Sequence, residues 1–167
     1  MSAGVTGTLL ANNEAYAGSF DRDHLDVLPS LQLAVVACMD SRVDTFAILG
    51  LGDGQAHILR NAGGVITDDV VRSLAISQRR LGTREIILIH HTDCGMQTIT
   101  DDGFRAELQE ATGMAPAFAI ESFSDVDASV RQSILRLRNT PFLPHRDRIR
   151  GFVYDVDSGR LREVDPG

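Results

Sequence analysis

The sequence predicts an α/β fold, a mostly parallel central β-sheet flanked by helices, with an N-terminal helical arm and a C-terminal edge hairpin. Two observations carry that expectation. The runs Leu33–Ala37 and Ile86–Ile89 are apolar without alternation, as strands covered on both faces are. Between and after them lie stretches with apolar residues at helical spacing, the pattern of β–α–β units.

Each element follows from local chemistry. Residues 5–19 read as a helical arm of modest amphipathicity. Leu33–Ala37 is the first strand, and a short helix follows over Asp44–Leu49, closed by Gly50 and Gly52. Ala56–Leu59 is a second strand. Thr67 then caps the clearest helix, with Asp68 and Asp69 at its positive end and Arg79 and Arg80 at its negative end. Its apolar face is Val70, Val71, Leu74 and Ala75, and Gly82 stops it. Glu85–His90 holds the third strand. Ser124 is the expected cap of a helix carrying Val126, Val130, Ile134 and Leu137 on one face, ended by Asn139 and Pro141. Residues 151–155 and Leu161–Val164 flank Asp157-Ser158-Gly159 as a hairpin.

With 167 residues, 43% hydrophobic, and no repeat or linker, the chain reads as a single domain over 1–167: an arm over 1–25 and an α/β core over 30–165. A net charge of −7 argues against nucleic acid and against an anionic membrane surface as partners. All 16 basic residues are Arg, scattered rather than striped along one face. No stretch approaches the roughly 20 apolar residues of a membrane helix, and the start lacks a signal-peptide pattern. The expected setting is therefore cytoplasmic. Two cysteines in a reducing compartment are better read as metal ligands or reactive thiols than as a disulfide.

Cys38 follows the first apolar strand directly, and His91 and Cys94 follow the third. Open α/β sheets bind ligands beyond the carboxyl ends of their strands, so these three side chains can converge there. Two thiolates and one imidazole are a zinc ligand set, and three protein ligands leave a position for water, the mark of a catalytic site. A lone Cys at a strand end is usually a small buried hydrophobe, and a Cys38–Cys94 disulfide also fits the spacing. Asp40 and Arg42 beside Cys38 favour the metal: a carboxylate locked by a guanidinium orients what binds there, whereas a plain surface pair adds little.

Cys38-x-Asp40-x-Arg42, then Arg60-Asn61-Ala62-Gly63, then His91-Thr92-Asp93-Cys94-Gly95 resemble the β-class carbonic anhydrases, in order and separation, from about Leu33 to Tyr154. The short bacterial branch is the most similar. The resemblance implies reversible hydration of CO2 to bicarbonate and a proton by zinc-bound hydroxide, with one Zn2+ per subunit on Cys38, His91 and Cys94. It gives Asp40 and Arg42 the catalytic roles, with Asp40 as a switchable fourth ligand in a closed state. Asn61, Ala62 and Gly63 would lie at the substrate pocket, and the subunits would pair as a homodimer across the N-terminal helix, tetramers being left open. Hydrolysis of carbonyl sulfide or carbon disulfide on the same zinc is the alternative, and a non-catalytic zinc or thiol protein comes third.

Three residues depart from the commoner family pattern: Met39 where Ser is frequent, Gly64 where Asn often stands, and His90 where Gly often precedes the ligand. They bear on the pocket lining and the substrate rather than on the ligands. Asp93 and His57 read as structural. His90 reads as a strand-end residue facing the protein, and His24 and His145 lie in polar stretches.

Overall fold

The computed structural model describes residues 4–21 and 25–167; His24 and the rest of the arm at 1–3 and 22–24 lie outside the described residues. Five strands form one sheet in the order β2-β1-β3-β4-β5. They are β1 (Leu33–Cys38), β2 (Ala56–Asn61), β3 (Glu85–His91), β4 (Ile149–Tyr154) and β5 (Leu161–Glu163). The first four run parallel, and β5 returns antiparallel to β4, Tyr154 facing Leu161. The α/β architecture is thus the expected one, edge hairpin included.

Helices cover both faces, which explains the unbroken apolar runs. Ala34, Val36, Ile86 and Leu88 pack against Val70 and Leu74 of α3 (Asp68–Arg80) and against Val130, Ile134 and Leu137 of α5 (Val126–Arg138). On the other face Leu33, Val35, Ala37 and Ile89 meet Val43 together with Ile48 and Leu49 of α2 (Thr45–Leu49). The expected cap of α3 is present, Thr67 Oγ1 accepting from the Val70 N–H. Asp44 caps α2 by accepting from Phe46 and Ala47.

Several boundaries differ from expectation. β1 runs on to Cys38 and β3 to His91, so both are the last residues of strands rather than the first after them. The cap of α5 is Asp125, whose carboxylate accepts from the Ala128 N–H, not Ser124 one residue earlier. A further helix, α4 (Asp101–Thr112), is not among the expected elements: none of its residues is fully buried, and its apolar side is short, Phe104 and Leu108 being only partly covered. The arm helix α1 (Val5–Gly18) is present, and none of its residues is buried either.

Where α5 crosses β4, Gly151 lets the helix close on the sheet: a Cβ at this position would collide with Val130 and with Ile134. Gly151→Ala should therefore destabilise the fold by about 1–3 kcal/mol through overpacking. Urea denaturation checks this, and an unchanged midpoint would show that α5 can move away at no cost.

Candidate active site

Parallel pairing brings the carboxyl ends of β1, β2 and β3 to one edge of the sheet. Cys38 ends β1, His91 ends β3, and Cys94 follows in a tight turn made possible by Asp93 in the left-handed region at φ 54°. All three are buried, and their donor atoms lie within 4.8 Å of one another. Both thiols are free, so the disulfide alternative is not realised.

The residues fit a metal on their own chemistry. His91 Nδ1 donates to the Thr92 carbonyl at 2.8 Å, since a carbonyl can only accept. Nε2 is thereby the nitrogen left to face the thiols, and it is buried without a hydrogen-bond partner. Burial works against a charged ring, but the Cys38 thiolate beside it outweighs burial and raises the His91 pKa. A buried polar nitrogen with no partner is costly unless something binds it. The thiols lean the same way. Hydrogen bonding from Cys94, chiefly, and from His91 beside it draws the Cys38 thiol well below its ordinary pKa against the effect of burial. Cys94, the donor to that thiolate, is pushed up, with burial adding to the shift. Cys38, His91 and Cys94 form a group that could hold a metal ion.

A ring of charged side chains frames this group. Arg42 grips Asp40 with two nitrogens, Nε to Oδ1 at 3.0 Å and Nη2 to Oδ2 at 2.8 Å, while its own backbone N–H donates to Oδ1 at 2.9 Å. Its remaining reach goes to Asp93, Nη1 to Oδ2 at 2.9 Å and Nη2 to the carbonyl at 3.0 Å. These bonds hold the Asp40 carboxyl well below the usual carboxylate range, so it stays ionised. Asp40 Oδ2 stands 3.7 Å from His91 Nε2. Asp40 thus faces the three side chains while being held on Arg42.

Two residues do more than their sequence patterns suggest. Arg60, near the end of β2, donates to the Cys38 carbonyl at 2.8 and 3.0 Å and to the Asp40 carbonyl at 2.6 Å. It thereby sets the backbone on either side of Met39. Asp93 is the outer partner of Arg42 in addition to forming the turn. Arg60 had a signal, its place at the head of Arg60-Asn61-Ala62-Gly63; the role of Asp93 depends on a contact 51 residues away in sequence.

A cavity of about 290 Å³ opens onto Cys38, His91, Cys94 and Asp40, walled by Met39, Ala62, Gly63 and Met96. Asn61 stands elsewhere: its Nδ2 donates to the Val65 carbonyl at 2.8 Å, and it borders an adjoining apolar cavity that shares Met39, Ala62 and Met96. Of the other histidines, His57 bonds Ser77 at 2.8 Å, and the backbone N–H and carbonyl of His145 bond the side-chain amide of Gln78. Neither lines this cavity.

The chain matches the family model described as carbonic anhydrase over residues 33–161. It is 54% identical to β-carbonic anhydrase 1 of Mycobacterium tuberculosis, over 97% of this chain and 99% of that protein. A crystal structure of carbonic anhydrase from Streptococcus mutans superposes with a TM-score of 0.91 at 44% identity, covering 99% of this chain and 100% of that one. A carbon disulfide hydrolase from Acidianus is more distant, 36% identical over 79% of this chain and 76% of its own length.

Metal binding should release protons, because Cys94 keeps its proton in the metal-free protein and must lose it to ligate. Affinity should therefore fall as pH is lowered, protons competing for the ligands. Zinc titration calorimetry in buffers of different ionisation enthalpy checks this. Heats that do not depend on the buffer, or full metal content in Cys94→Ala, would contradict it.

Proposed function

The chain belongs to the β-class carbonic anhydrase family, and we propose that it catalyses the reversible hydration of CO2 to bicarbonate with one zinc ion on Cys38, His91 and Cys94. The observation that carries this reading is the convergence of two thiols and a partnerless imidazole nitrogen, with an ionised Asp40 held beside them by Arg42. Bound there, zinc would supply a Lewis acid able to lower the pKa of water towards about 7.

The protein's own residues then do three things. Asp40, fixed as a carboxylate, can only accept hydrogen bonds, so a water between Oδ2 and the ligands donates to Oδ2 and turns a lone pair towards the cavity. Arg42 keeps Asp40 ionised and prevents it from swinging onto the ligand group, which is the state in which Asp40 would become a fourth ligand. The apolar parts of Met39, Ala62 and Met96 suit a small, uncharged linear substrate, and Gly63 brings bare backbone to the cavity wall, where a Cβ would press on Met96, Phe123 and Val65.

Hydrolysis of carbon disulfide is the second reading, supported by the named hydrolase relatives, but those stand at 36% identity or lower against 54% for the carbonic anhydrase. We further propose a homodimer in the cytoplasm. The arm supports the dimer: Val5, Leu9 and Leu10 of α1 are mostly exposed, and a helix with nothing to bury in its own chain needs a second copy to pack on. Two free thiols suit a reducing compartment, and among the described residues no helix is long and apolar enough to cross a membrane.

Stopped-flow CO2 hydration on zinc-loaded protein, run beside carbonyl sulfide and carbon disulfide assays, tests the activity. CO2 turnover far above the other two is expected, and dominant turnover of a sulfur substrate would reverse the order. Arg42→Ala should keep its zinc and lose activity roughly 10–100-fold, the usual cost of removing a partner that orients a metal site. Near-normal turnover in that variant would remove Arg42 from the mechanism.

A further inference from the structure

His90 is fully buried beside the metal group, yet no step above uses it. Strand alternation turns it to the face of Ile86 and Leu88, away from the side on which His91 points. There its Nε2 donates to the Gly64 carbonyl at 3.1 Å, and its ring lies against Phe123, centroids 5.6 Å apart. Its Nδ1 has no hydrogen-bond partner among the described residues.

The segment it holds is a demanding one. Gly63 and Gly64 both sit at positive φ, 80° and 69°, which leaves the turn without side chains to anchor it. Gly64 is wedged between β1 and β3: a Cβ there would stand 2.8 Å from the Cys38 backbone nitrogen and 3.0 Å from the Ile89 carbonyl. Gly63, one residue earlier, shares the cavity wall with Cys38. Two side-chain donors brace the turn on consecutive carbonyls, His90 on Gly64 and Asn61 on Val65.

A residue present only to fill space would be Phe or Leu, which bring no unsatisfied buried nitrogen. The donor at Nε2 is therefore what this position requires. We infer that His90 is a positioning residue: its imidazole clamps the Gly63–Gly64 turn and so holds Gly63 and Cys38 in register at the rim of the metal pocket. The coupling runs from the imidazole through one carbonyl to backbone in van der Waals contact with the β1 end. The inference rests on Cys38 being a zinc ligand, but the clamp itself can be read without metal.

Three measurements on His90→Phe, which keeps the shape and loses the donor, and on His90→Gln, which keeps a donor, test it. In metal-free protein, amide exchange over residues 62–65 should rise roughly tenfold in His90→Phe, with little change in α3 or α5. Zinc affinity by chelator competition should fall roughly tenfold, and the thiolate-to-metal absorption of cobalt-loaded protein should shift. His90→Gln should restore all three towards the parent protein. Should His90→Phe fail to fold, His90→Met takes its place in the same comparison. The inference is overturned if exchange rises evenly across the sheet and helices, if the cobalt spectrum is unmoved, or if His90→Gln is as impaired as His90→Phe. Locally faster exchange in a protein that binds no zinc would overturn the metal reading and leave the clamp standing.

Discussion

Where β1 lies parallel to β3, with Ala37 opposite Ile89, the two strands finish at one edge of the sheet, and Cys38 and His91 finish with them. β2 ends at the same level, Asn61 opposite Cys38, and delivers the Ala62–Gly64 turn. Three strand ends thus supply the Cys–His–Cys group, its acidic neighbour and the cavity wall without any long loop. Helices on both faces make this possible, because burial of the sheet keeps the strands in register up to their last residues. The positive-φ turns at Gly63, Gly64 and Asp93 are the local cost of bending the chain so sharply at that edge.

The second constraint is electrostatic. A guanidinium has five donors in a rigid fork and no acceptor, and Arg42 spends four side-chain bonds on Asp40 and Asp93. A lysine could hold Asp40 at one point but could not grip both carboxylates at fixed angles. Because Asp40 is ionised and held on the Arg42 side, it presents an acceptor to the cavity and leaves the three ligand atoms to one another. Arg60 does for the backbone what Arg42 does for the carboxylate, tying the Cys38 and Asp40 carbonyls to β2.

Much of this was legible in the residues. β1 and β3 stood out because strands buried on both faces must be apolar throughout, and α3 because its cap, charges and stripe agree. The convergence of Cys38, His91 and Cys94 into a group that could hold a metal followed from their placement at strand ends or just beyond one. What escaped has physical reasons. Helix α4 packs no residue into the core, so its evidence lay only in Thr100, Asp101 and Asp102 at its start and Gly113 at its end. Asp125 and Ser124 are both good caps, and only the backbone decides between them. The roles of Arg60 and Asp93 are long-range contacts with no period. His90 and Gly64, two separate departures from the common family pattern, prove to be partners in one hydrogen bond. Asn61, expected at the substrate pocket, instead spends its amide on Val65.

The central claim is that Cys38, His91 and Cys94 together hold zinc with room for one more ligand. X-ray absorption at the zinc edge of the loaded protein measures this most directly. Two sulfur scatterers at about 2.3 Å with lighter atoms at about 2.0–2.1 Å, one of them an imidazole, are the predicted shell. A shell of nitrogen and oxygen alone, or one containing a single sulfur, would contradict it.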